Sequence, residues 1–408
     1  MQLESPLAIV QLQKKLSSKS AVVEFVSYSY DSGVSFFYAI IIKPFGDPIL
    51  ISYPQNDALF NLLDRFDGEQ AAVAKLYGNN RVGSLYPLLW GPLSKHLIDI
   101  EEVFISPDGL LHKVNFSAIT GPDRNLLGQN LRIRRILSSR FLEETDKQMP
   151  IAHVSLFGGI DYEADSTITL RPQKDSIKPL LIRSTRGDKV TWNYLDGTQL
   201  ECQKIQQICR SNRLDIQFFQ GKEATEEAFY KQAAFAEGYI LHVATHGFTD
   251  LNMFRQNRES RGLIIDKEAK KTTSDPLLRT GIVFAGANRD RKYPAVSPTD
   301  GIALGAEIAK QPFDNCELVV LSACETGLGE VKGKEGVFGL QKAFKQSGVN
   351  KIIASLWQVP DKQTAELFTL FYKNLFILES ASQALQTAQS AMRKKYAPYY
   401  WAGFILLE

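Results

Sequence analysis

The sequence predicts an α/β protein built around a largely parallel sheet. Apolar runs of strand length alternate with segments of helical period along the 408 residues, and this alternation is typical of parallel strands joined by helices. Hydrophobic residues make up 44% of the chain, which is enough to bury a sizeable core, and we find no internal repeat. A chain of this length favours two domains, or one large domain with an appended half.

The first 150 residues predict a short helix followed by strands. An amphipathic pattern indicates a helix over Leu7–Leu16, and a later apolar run ends at Pro107-Asp108-Gly109, a sequence suited to a tight turn. The predicted strands are Ala21–Ser27, Val34–Ile42, Pro48–Ser52, Glu102–Ser106 and Leu131–Ile136. A short helix is predicted to end near Glu144. The polar stretch Glu143–Pro150 then favours a boundary that divides the chain into 1–150 and 151–408.

The second part alternates more regularly between strand and helix patterns. Its predicted strands are His153–Phe157, Asp215–Phe219, Tyr239–Ala244, Gly262–Ile265, Gly281–Phe284, Glu317–Leu321, Lys351–Leu356 and Ala402–Leu407. Its predicted helices are Thr198–Arg210, Thr225–Ala234, Gly301–Ala309, Val337–Ser347, Lys362–Phe376 and Ser380–Lys395. This pattern predicts a sheet of six or more strands wrapped by helices.

Charge and composition exclude several classes of protein. The 47 basic and 45 acidic side chains nearly cancel, which removes the electrostatic argument for binding nucleic acid or a membrane surface. The sequence has no secretory signal and no apolar stretch long enough to span a bilayer, so we expect a cytoplasmic protein. Its four cysteines, Cys202, Cys209, Cys316 and Cys324, lack zinc-site spacing and are too few for a disulfide scaffold. We therefore expect reduced thiols and no zinc site.

Two strand ends stop on side chains that can carry chemistry. One reads Leu241-His242-Val243-Ala244-Thr245-His246-Gly247, and the other runs from Leu318 through Ser322-Ala323-Cys324-Glu325-Thr326-Gly327. In an open parallel sheet the carboxyl ends of the strands share one edge, so His246 and Cys324 are expected within reach of one substrate. Gly247 has no Cβ and lets a backbone N–H approach a ligand closely, as an oxyanion hole requires.

Each of these residues also has a structural interpretation. A cysteine at a strand end is more often a small buried hydrophobe, and a single histidine after an apolar strand is more often a hydrogen-bonded structural residue. His242 fits that second description. Alternation along the strand puts His242 and His246 on one face, and His246 is the better catalytic candidate because it lies nearer the sheet edge.

The segment Val319–Val359, which reads VVLSACETGLGEVKGKEGVFGLQKAFKQSGVNKIIASLWQV, closely resembles the central motif of CHAT domains. These are caspase-like modules often attached to tetratricopeptide repeats. Other landmarks of the family follow in its order, at Phe104–Phe116, Ser155–Tyr162, Leu195–Glu201, Gly221–Phe229, Tyr239–Phe248, Gly281–Arg289, Asp300–Ala309 and Pro398–Leu407. The resemblance covers nearly the whole chain.

The resemblance implies a degenerate caspase-like half over 1–150 and a catalytic caspase-like domain over 151–408. It implies a cysteine peptidase in which Cys324 is the nucleophile and His246 transfers protons, with no metal and no organic cofactor. The backbone N–H groups of Gly247 and Cys324 would stabilise the oxyanion.

In caspase-like enzymes the strand after the nucleophile and the loop following it form one wall of the S1 pocket, and the resemblance implies that this wall is Ser355–Asp361 here. Asp361 could receive a basic P1 side chain, or it could be the N-cap of the following helix. Trp357 and Gln358 suggest a partly apolar pocket instead, so the P1 residue stays open between basic and medium-sized apolar side chains. Glu325, the neighbour of Cys324 in the motif, is counted with these substrate-binding candidates.

The glycine-rich stretch Gly327–Gly336 lacks the Walker spacing, because Leu328 replaces the first glycine and Glu335 follows Lys334, so we reject nucleotide binding. It predicts a surface loop, which family analogy favours as a movable loop beside Cys324. No pattern supports a serine hydrolase or a metallohydrolase.

Two functions remain. The first is an endopeptidase with a specific protein substrate, which the resemblance associates with bacterial antiviral defence or cell death. The second is a catalytically latent scaffold or protein-binding module regulated by a partner. An activating protein partner is expected in either case. No repeat array precedes Met1, so we expect a short form or a regulatory contact in the first half.

Overall fold

The computed structural model describes residues 9–29, 35–53, 56–78, 82–142, 151–164, 191–249, 276–278, 280–288, 300–322 and 336–408. The chain forms two compact units. The first unit comprises 1–149, 356–363 and 370–408, and the second comprises 150–355 and 364–369. The C-terminal segment therefore packs with the first 149 residues. The assignment of a degenerate half and a catalytic half stays a prediction.

The first unit contains a mixed sheet. Its strands are β1 (Ser20–Ser29), β2 (Ser35–Ile42), β3 (Ile49–Ser52), β4 (Glu102–Ser106), β5 (Arg132–Arg135) and β14 (Phe404–Leu407). They lie in the order β3-β2-β1-β4-β5-β14. The pairs β1–β2 and β2–β3 are antiparallel, whereas β1–β4, β4–β5 and β5–β14 are parallel. The last strand of the chain thus pairs with β5, far from it in sequence.

The helices of the first unit are α1 (Ile9–Lys14), α2 (Asn56–Asp64), α3 (Gln70–Tyr77), α4 (Gly91–Ser94), α5 (Leu127–Asn130) and α11 (Ala381–Arg393). The sequence did not predict α2 and α3, because helices of nine and eight residues are too short to show a clear helical period. Tertiary packing stabilises them: Leu59 and Leu63 of α2 and Tyr77 of α3 are almost completely buried. The helix expected near Glu144 is a single 3₁₀ turn, Ser139–Phe141, within the described residues.

The second unit contains a parallel sheet and a small antiparallel one. The parallel strands are β6 (His153–Ile160), β7 (Asp215–Gly221), β8 (Tyr239–Val243), β12 (Cys316–Leu321) and β13 (Lys351–Ser355), in the order β13-β12-β8-β6-β7. Every residue of β6, β8 and β13 is buried, as expected for strands covered on both faces. The antiparallel strands are β9 (Gly247–Thr249), β10 (Thr280–Val283) and β11 (Ile302–Leu304), in the order β11-β10-β9.

The helices of the second unit are α6 (Asp196–Ser211), α7 (Glu226–Lys231), α8 (Gly305–Ile308) and α9 (Gly336–Gln346). Helix α10 (Asp361–Leu378) contributes residues 364–369 to this unit and the rest to the first. On α6, Cys202, Ile205 and Cys209 are fully buried at helical spacing and form its core-facing stripe. Among the described residues, no helix has both the length and the apolar character needed to cross a membrane.

The predicted class, α/β with a mostly parallel sheet flanked by helices, is confirmed. One predicted helix is wrong: Gly301–Ala309 contains strand β11 followed by the single turn α8, because Ile302–Leu304 pairs with β10. Strand β9 was not predicted, since three residues give no readable alternation. The predicted strand Gly262–Ile265 and most of the glycine-rich stretch lie outside the described residues.

A buried carboxyl group anchors the chain that enters β11. Glu226, at the start of α7, is 3% exposed and accepts hydrogen bonds from the backbone N–H groups of Asp300 (2.9 Å) and Gly301 (3.0 Å). Burial raises the pKa of Glu226 to about 8, and the nearby carboxylates of Asp300 and Glu307 add to this effect. Tyr230 also faces the group, and its own pKa is raised, chiefly by burial.

We predict that stability falls as the pH rises through this range. The ordinary pKa of a glutamate is 4.5, so between about pH 5 and pH 8 the folded state holds a proton that the unfolded state has lost. The free energy of unfolding should then decrease by up to about 1.4 kcal/mol per pH unit. Denaturant titrations of the wild type and Glu226→Gln would measure this slope. Equal slopes for both proteins would contradict the prediction.

Candidate active site

The two strand ends singled out in the sequence are neighbours in the parallel sheet. Strands β8 and β12 pair directly, and Val243 lies opposite Leu321 in the register. The N–H of Ser322 continues this pairing by donating to the carbonyl of Val243 at 3.0 Å. His246 follows Val243 by three residues, and Cys324 follows Leu321 by three. The two segments therefore leave the sheet at the same edge, and each candidate residue follows its paired strand residue by the same number of positions.

His246 lies just beyond β8, in the short connection to β9. Its ring is half-buried and packs against two aromatic rings, Tyr162 with a centroid distance of 5.2 Å and Trp192 with 5.3 Å. Trp192 also packs on Phe248, which follows in β9. The imidazole is thus packed by side chains from two separate segments of the second unit, and Phe248 supports one of them.

One hydrogen bond fixes the orientation of the His246 ring. Its Nε2 lies 2.7 Å from the carbonyl oxygen of Asn193. Because a carbonyl oxygen only accepts, Nε2 must carry the hydrogen in this contact. In the neutral ring the lone pair is then on Nδ1, which becomes the nitrogen able to take up a proton.

The segment that carries Asn193 is itself braced. Asn288 accepts a hydrogen bond from the Trp192 N–H (2.8 Å) and donates one to the Trp192 carbonyl (2.8 Å). Its amide also donates to Glu163 at 2.7 Å, and its backbone N–H donates to the carbonyl of Tyr162 at 3.0 Å. One side chain therefore ties together the two segments that contact the histidine.

Thr245, the residue before His246, adds a second set of bonds. Its hydroxyl donates to the carbonyl of Val283 at 2.6 Å and lies 2.9 Å from the hydroxyl of Tyr162. Burial raises the pKa of Tyr162 to about 12, so this phenol stays neutral at physiological pH. These contacts fix the backbone from which the imidazole projects.

Gly247 begins β9 and lies opposite Ile282 of β10. The N–H of Val283 donates to the carbonyl of His246 at 3.0 Å. His246 and Val283 therefore form a hydrogen-bonded pair. Because hydrogen-bonded and non-hydrogen-bonded pairs alternate along an antiparallel ladder, the next pair, Gly247 and Ile282, is not hydrogen-bonded. The ladder with β10 therefore does not use the Gly247 N–H.

His242 is a buried, hydrogen-bonded residue of the core, which is the structural interpretation that the sequence favoured for it. Its ring is fully buried, Nε2 lies 2.9 Å from a carboxylate oxygen of the buried Glu201, and Phe368 contacts it edge-on at 5.3 Å. These contacts differ from those of His246, which lie with Asn193, Tyr162 and Trp192. The expected alternation does not extend to His246, because β8 ends at Val243.

Cys324 and Glu325 lie outside the described residues. The other three cysteines of the chain are all buried. Burial raises the pKa of Cys202 and Cys316 and raises that of Cys209 to about 12, so these thiols stay protonated and unreactive.

The remaining predicted residues belong to the first unit. Trp357 is a core residue: it is fully buried, packs on Phe66 and Tyr77, and donates its indole N–H to the carbonyl of Tyr399. This packing contradicts its expected contact with substrate. Gln358, in contrast, is exposed.

Asp361 is half-buried and is the first residue of α10. The N-cap position is Pro360, so the expectation of Asp361 as the N-cap is wrong by one residue. Its carboxylate still lies in the first turn, where it interacts favourably with the helix dipole.

A second constellation resembles a catalytic triad. His153 lies 2.8 Å from a carboxylate oxygen of Asp215 through Nδ1 and 2.9 Å from the hydroxyl of Ser155 through Nε2. Ser155 is fully buried, however, and donates to the amide oxygen of Gln232 at 2.5 Å. The Gln232 amide nitrogen donates to the Ala228 carbonyl, which fixes this orientation. The hydroxyl is therefore neither accessible nor deprotonated by the histidine, and the cluster is structural.

Sequence reasoning missed the residues that hold His246. Tyr162 and Asn288 lie in two of the landmark segments, Ser155–Tyr162 and Gly281–Arg289, but a phenol and an amide gave no catalytic signal of their own. Trp192 and Asn193 lie just before a third landmark, and Asn193 acts through its backbone carbonyl, which no side-chain pattern reveals. Among the described residues, no group of histidine, cysteine or acidic side chains has the arrangement of a metal site.

Comparisons with known proteins bear on the family. A 94-residue segment is 33% identical to Tetratricopeptide repeat protein 28 of Homo sapiens and 32% identical to that of Mus musculus. It covers 22% of this chain and 4% of each relative, so the chain corresponds to a small part of those proteins. Among solved structures, the Arg-specific cysteine proteinase gingipain R aligns with a TM-score of 0.39 and 12% identity, over 85% of this chain and 73% of that chain.

The family model for the CHAT domain matches residues 80–408. This match includes both strand ends, the segment that braces His246 and the C-terminal strand, and it confirms the resemblance read from the sequence. The chain therefore belongs to the CHAT domain family.

Proposed function

We propose that this protein is a caspase-like cysteine endopeptidase that cleaves a specific protein substrate. The observation that carries the proposal is the register of β8 and β12, which sends the segments bearing His246 and Cys324 from one edge of the sheet with the same offset. The hydrogen bond from His246 to Asn193 supports it, because a structural histidine does not require an oriented, half-buried ring at a sheet edge.

In the proposed mechanism the Cys324 thiolate attacks the carbonyl carbon of the scissile peptide bond. A bond forms between sulfur and carbon, and the carbonyl oxygen becomes an oxyanion. His246, protonated on Nδ1, gives that proton to the leaving amine as the carbon–nitrogen bond breaks. Water then attacks the thioester, gives a proton back to Nδ1, and releases the carboxylic acid and the thiolate.

The oxyanion is proposed to bind the backbone N–H groups of Gly247 and Cys324. The Gly247 N–H is suited to this role because its ladder with β10 does not use it. Each such donor lowers the barrier by about 3 kcal/mol. Gln358, Asp361 and Glu325 remain proposed substrate-binding residues, with a P1 side chain that is basic if Asp361 receives it.

The alternative function is a latent scaffold or protein-binding module. The buried thiols and His242 show how this chain uses the same residue types for structure alone. His246 departs from that pattern, since its ring is half-buried and held by a backbone carbonyl. We therefore favour the enzyme, acting in the cytoplasm and regulated by a protein partner. Its place in bacterial defence or cell death rests on the family resemblance.

We predict that cleavage depends on one cysteine. The wild type, incubated with a diverse peptide library or with candidate protein substrates and activators, should cut, and Cys324→Ala should not. Cys209→Ala is the matched control, because Cys209 is buried on α6 and should leave the rate unchanged. Mass spectrometry of the products gives the cleavage site and the P1 residue. Equal cleavage by Cys324→Ala, or no cleavage by the wild type, would contradict the proposal.

We predict that Asn288 acts as a positioning residue. Asn288→Ala removes both hydrogen bonds to the backbone of Trp192. The neighbouring Asn193 carbonyl, which accepts from the His246 ring, is then held less firmly, so kcat should fall about 10- to 100-fold while KM changes little. Thermal unfolding should show that the variant is folded. Asn288→Asp keeps the acceptor for the Trp192 N–H but loses both donated bonds and sets a carboxylate beside Glu163, so it should lose as much activity. A fall confined to stability, or full activity in either variant, would contradict the role.

We predict that Asp361→Asn distinguishes the two P1 possibilities. If Asp361 receives a basic side chain, the substitution should lower kcat/KM for an arginine reporter about 10- to 100-fold, because a charge-assisted hydrogen bond is lost. An otherwise identical leucine reporter is the internal control and should be cut at the same rate by both proteins. An unchanged ratio of the two rates would limit Asp361 to stabilising α10.

A further inference from the structure

Strand β7 (Asp215–Gly221) is the outermost strand of the parallel sheet in the second unit, as far as the described residues extend. Its inner side pairs in parallel with β6. An outer strand presents a row of backbone N–H and C=O groups on which another strand can pair. The proposed peptidase site, at the ends of β8 and β12, does not use this edge.

The outward-pointing backbone groups of β7 can be identified from one hydrogen bond. The N–H of Asp161, just beyond β6, donates to the carbonyl of Gly221 at 3.2 Å, so the backbone groups of Gly221 point toward β6. Along a strand, the backbone groups of successive residues point alternately to its two sides. The N–H and C=O groups of Ile216, Phe218 and Gln220 therefore point away from β6.

The sequence of β7 lacks the features by which edge strands usually avoid pairing with other chains. The strand is seven residues long, contains neither proline nor lysine, and has its one charged residue, Asp215, at its first position. The irregularity in its pairing adds a residue to β6, between Phe157 and Ile160, and leaves β7 regular. Natural edges are blunted by short strands, lysine, proline or bulges, so this edge is suited to bind a further strand.

A second copy of the chain fits this edge best in one register. Two identical antiparallel strands related by a two-fold axis place one residue opposite itself, and Phe218 is the middle residue of β7. With Phe218 on the axis the whole strand is paired, and Ile216 lies opposite Gln220 of the other copy. These residues have the outward-pointing groups, so each opposing pair can exchange two hydrogen bonds. The Gln220 carbonyl also accepts the Glu223 N–H at 3.0 Å, but a carbonyl oxygen has a second lone pair.

The charges beyond the two ends of β7 favour the same register. Arg213 lies two residues before the strand and Glu223 two residues after it, and both are exposed. With Phe218 on the axis, Arg213 of each copy lies opposite Glu223 of the other, and opposite charges at facing positions attract. With Phe219 on the axis, Glu223 would instead lie opposite the acidic Asp215. Charge complementarity thus selects the register that also pairs the complete strand.

We propose that β7 pairs antiparallel with β7 of a second copy of this chain, about a two-fold axis beside Phe218. The parallel sheets of the two second units then join through this pair of strands. Main-chain hydrogen bonds supply the affinity, and the half-buried Phe218 side chains of the two copies lie on the same face and pack together. A second copy is favoured over a different protein because the edge is complementary to itself in both register and charge.

Sedimentation velocity of the full chain, over a concentration series into the high micromolar range, tests the dimer. The wild type should sediment increasingly as a dimer. Arg213→Glu and Glu223→Arg should each raise the Kd of the dimer about 10-fold, because attraction at both ends of the interface becomes repulsion. The double variant Arg213→Glu/Glu223→Arg exchanges the two charges and should restore the wild-type Kd. A monomeric wild type, or a double variant that dimerises no better than the single variants, would overturn the pairing.

A disulfide across the axis tests the register. In a Cys324→Ala background, Phe218→Cys places two cysteines opposite each other with Cα atoms about 5.5 Å apart, a distance that a disulfide spans. Gln220→Cys is the matched control: it lies on the same face, but its two copies are about 13 Å apart along the strands.

Mild oxidation should give a covalent dimer of Phe218→Cys on non-reducing electrophoresis and none of Gln220→Cys. Equal amounts of covalent dimer in both variants, or none in a folded Phe218→Cys, would overturn the register. If Phe218→Cys does not fold, the variants of the exposed Arg213 and Glu223 decide alone.

Discussion

The direct parallel pairing of β8 with β12 is the constraint on which the proposed site depends. Val243 and Leu321 lie side by side, so anything that follows them by the same number of residues leaves the sheet at one edge. All the residues of β8 are buried, and a slip by one position would turn its side chains to the opposite face of the sheet. The packing of the sheet therefore fixes where the chain leaves β8 and β12.

Two histidines four residues apart illustrate how environment assigns a role. His242 lies within β8, where Glu201 and Phe368 enclose it and it can only stabilise the core. His246 lies beyond the strand, where a backbone carbonyl orients its ring and leaves one nitrogen for proton transfer. The amide of Asn288 maintains that arrangement through hydrogen bonds to the backbone of Trp192. The same residue type thus serves packing in one position and is oriented for the proposed chemistry in the other.

The sequence could predict the α/β class and the strands that end near His246 and Cys324, because apolar runs of five or six residues are readable without tertiary context. It could not predict β9 or β11, which are three residues long and exist only because they pair with β10. The sequence favoured Trp357 as a pocket residue, whereas its side chain is buried in the core. An aromatic residue after a strand has the same sequence pattern in both situations. The hydrogen-bond acceptor of His246 is the carbonyl oxygen of Asn193, and a pattern of side-chain types cannot predict a contact made by the backbone. Long-range partners such as β5 and β14 were equally unreadable, since their pairing spans most of the chain.

The most direct test of a reactive Cys324 is chemical labelling of the unliganded protein with a limiting amount of a thiolate-selective alkylating reagent, followed by intact-mass and peptide-mass measurement. Cys202, Cys209 and Cys316 are buried and their pKa values are raised, so they should not react while the protein is folded. The account predicts a single adduct on Cys324, formed faster in the wild type than in His246→Ala. No adduct on Cys324 of the unliganded protein, equal rates in the wild type and His246→Ala, or labelling spread over the buried cysteines would contradict it.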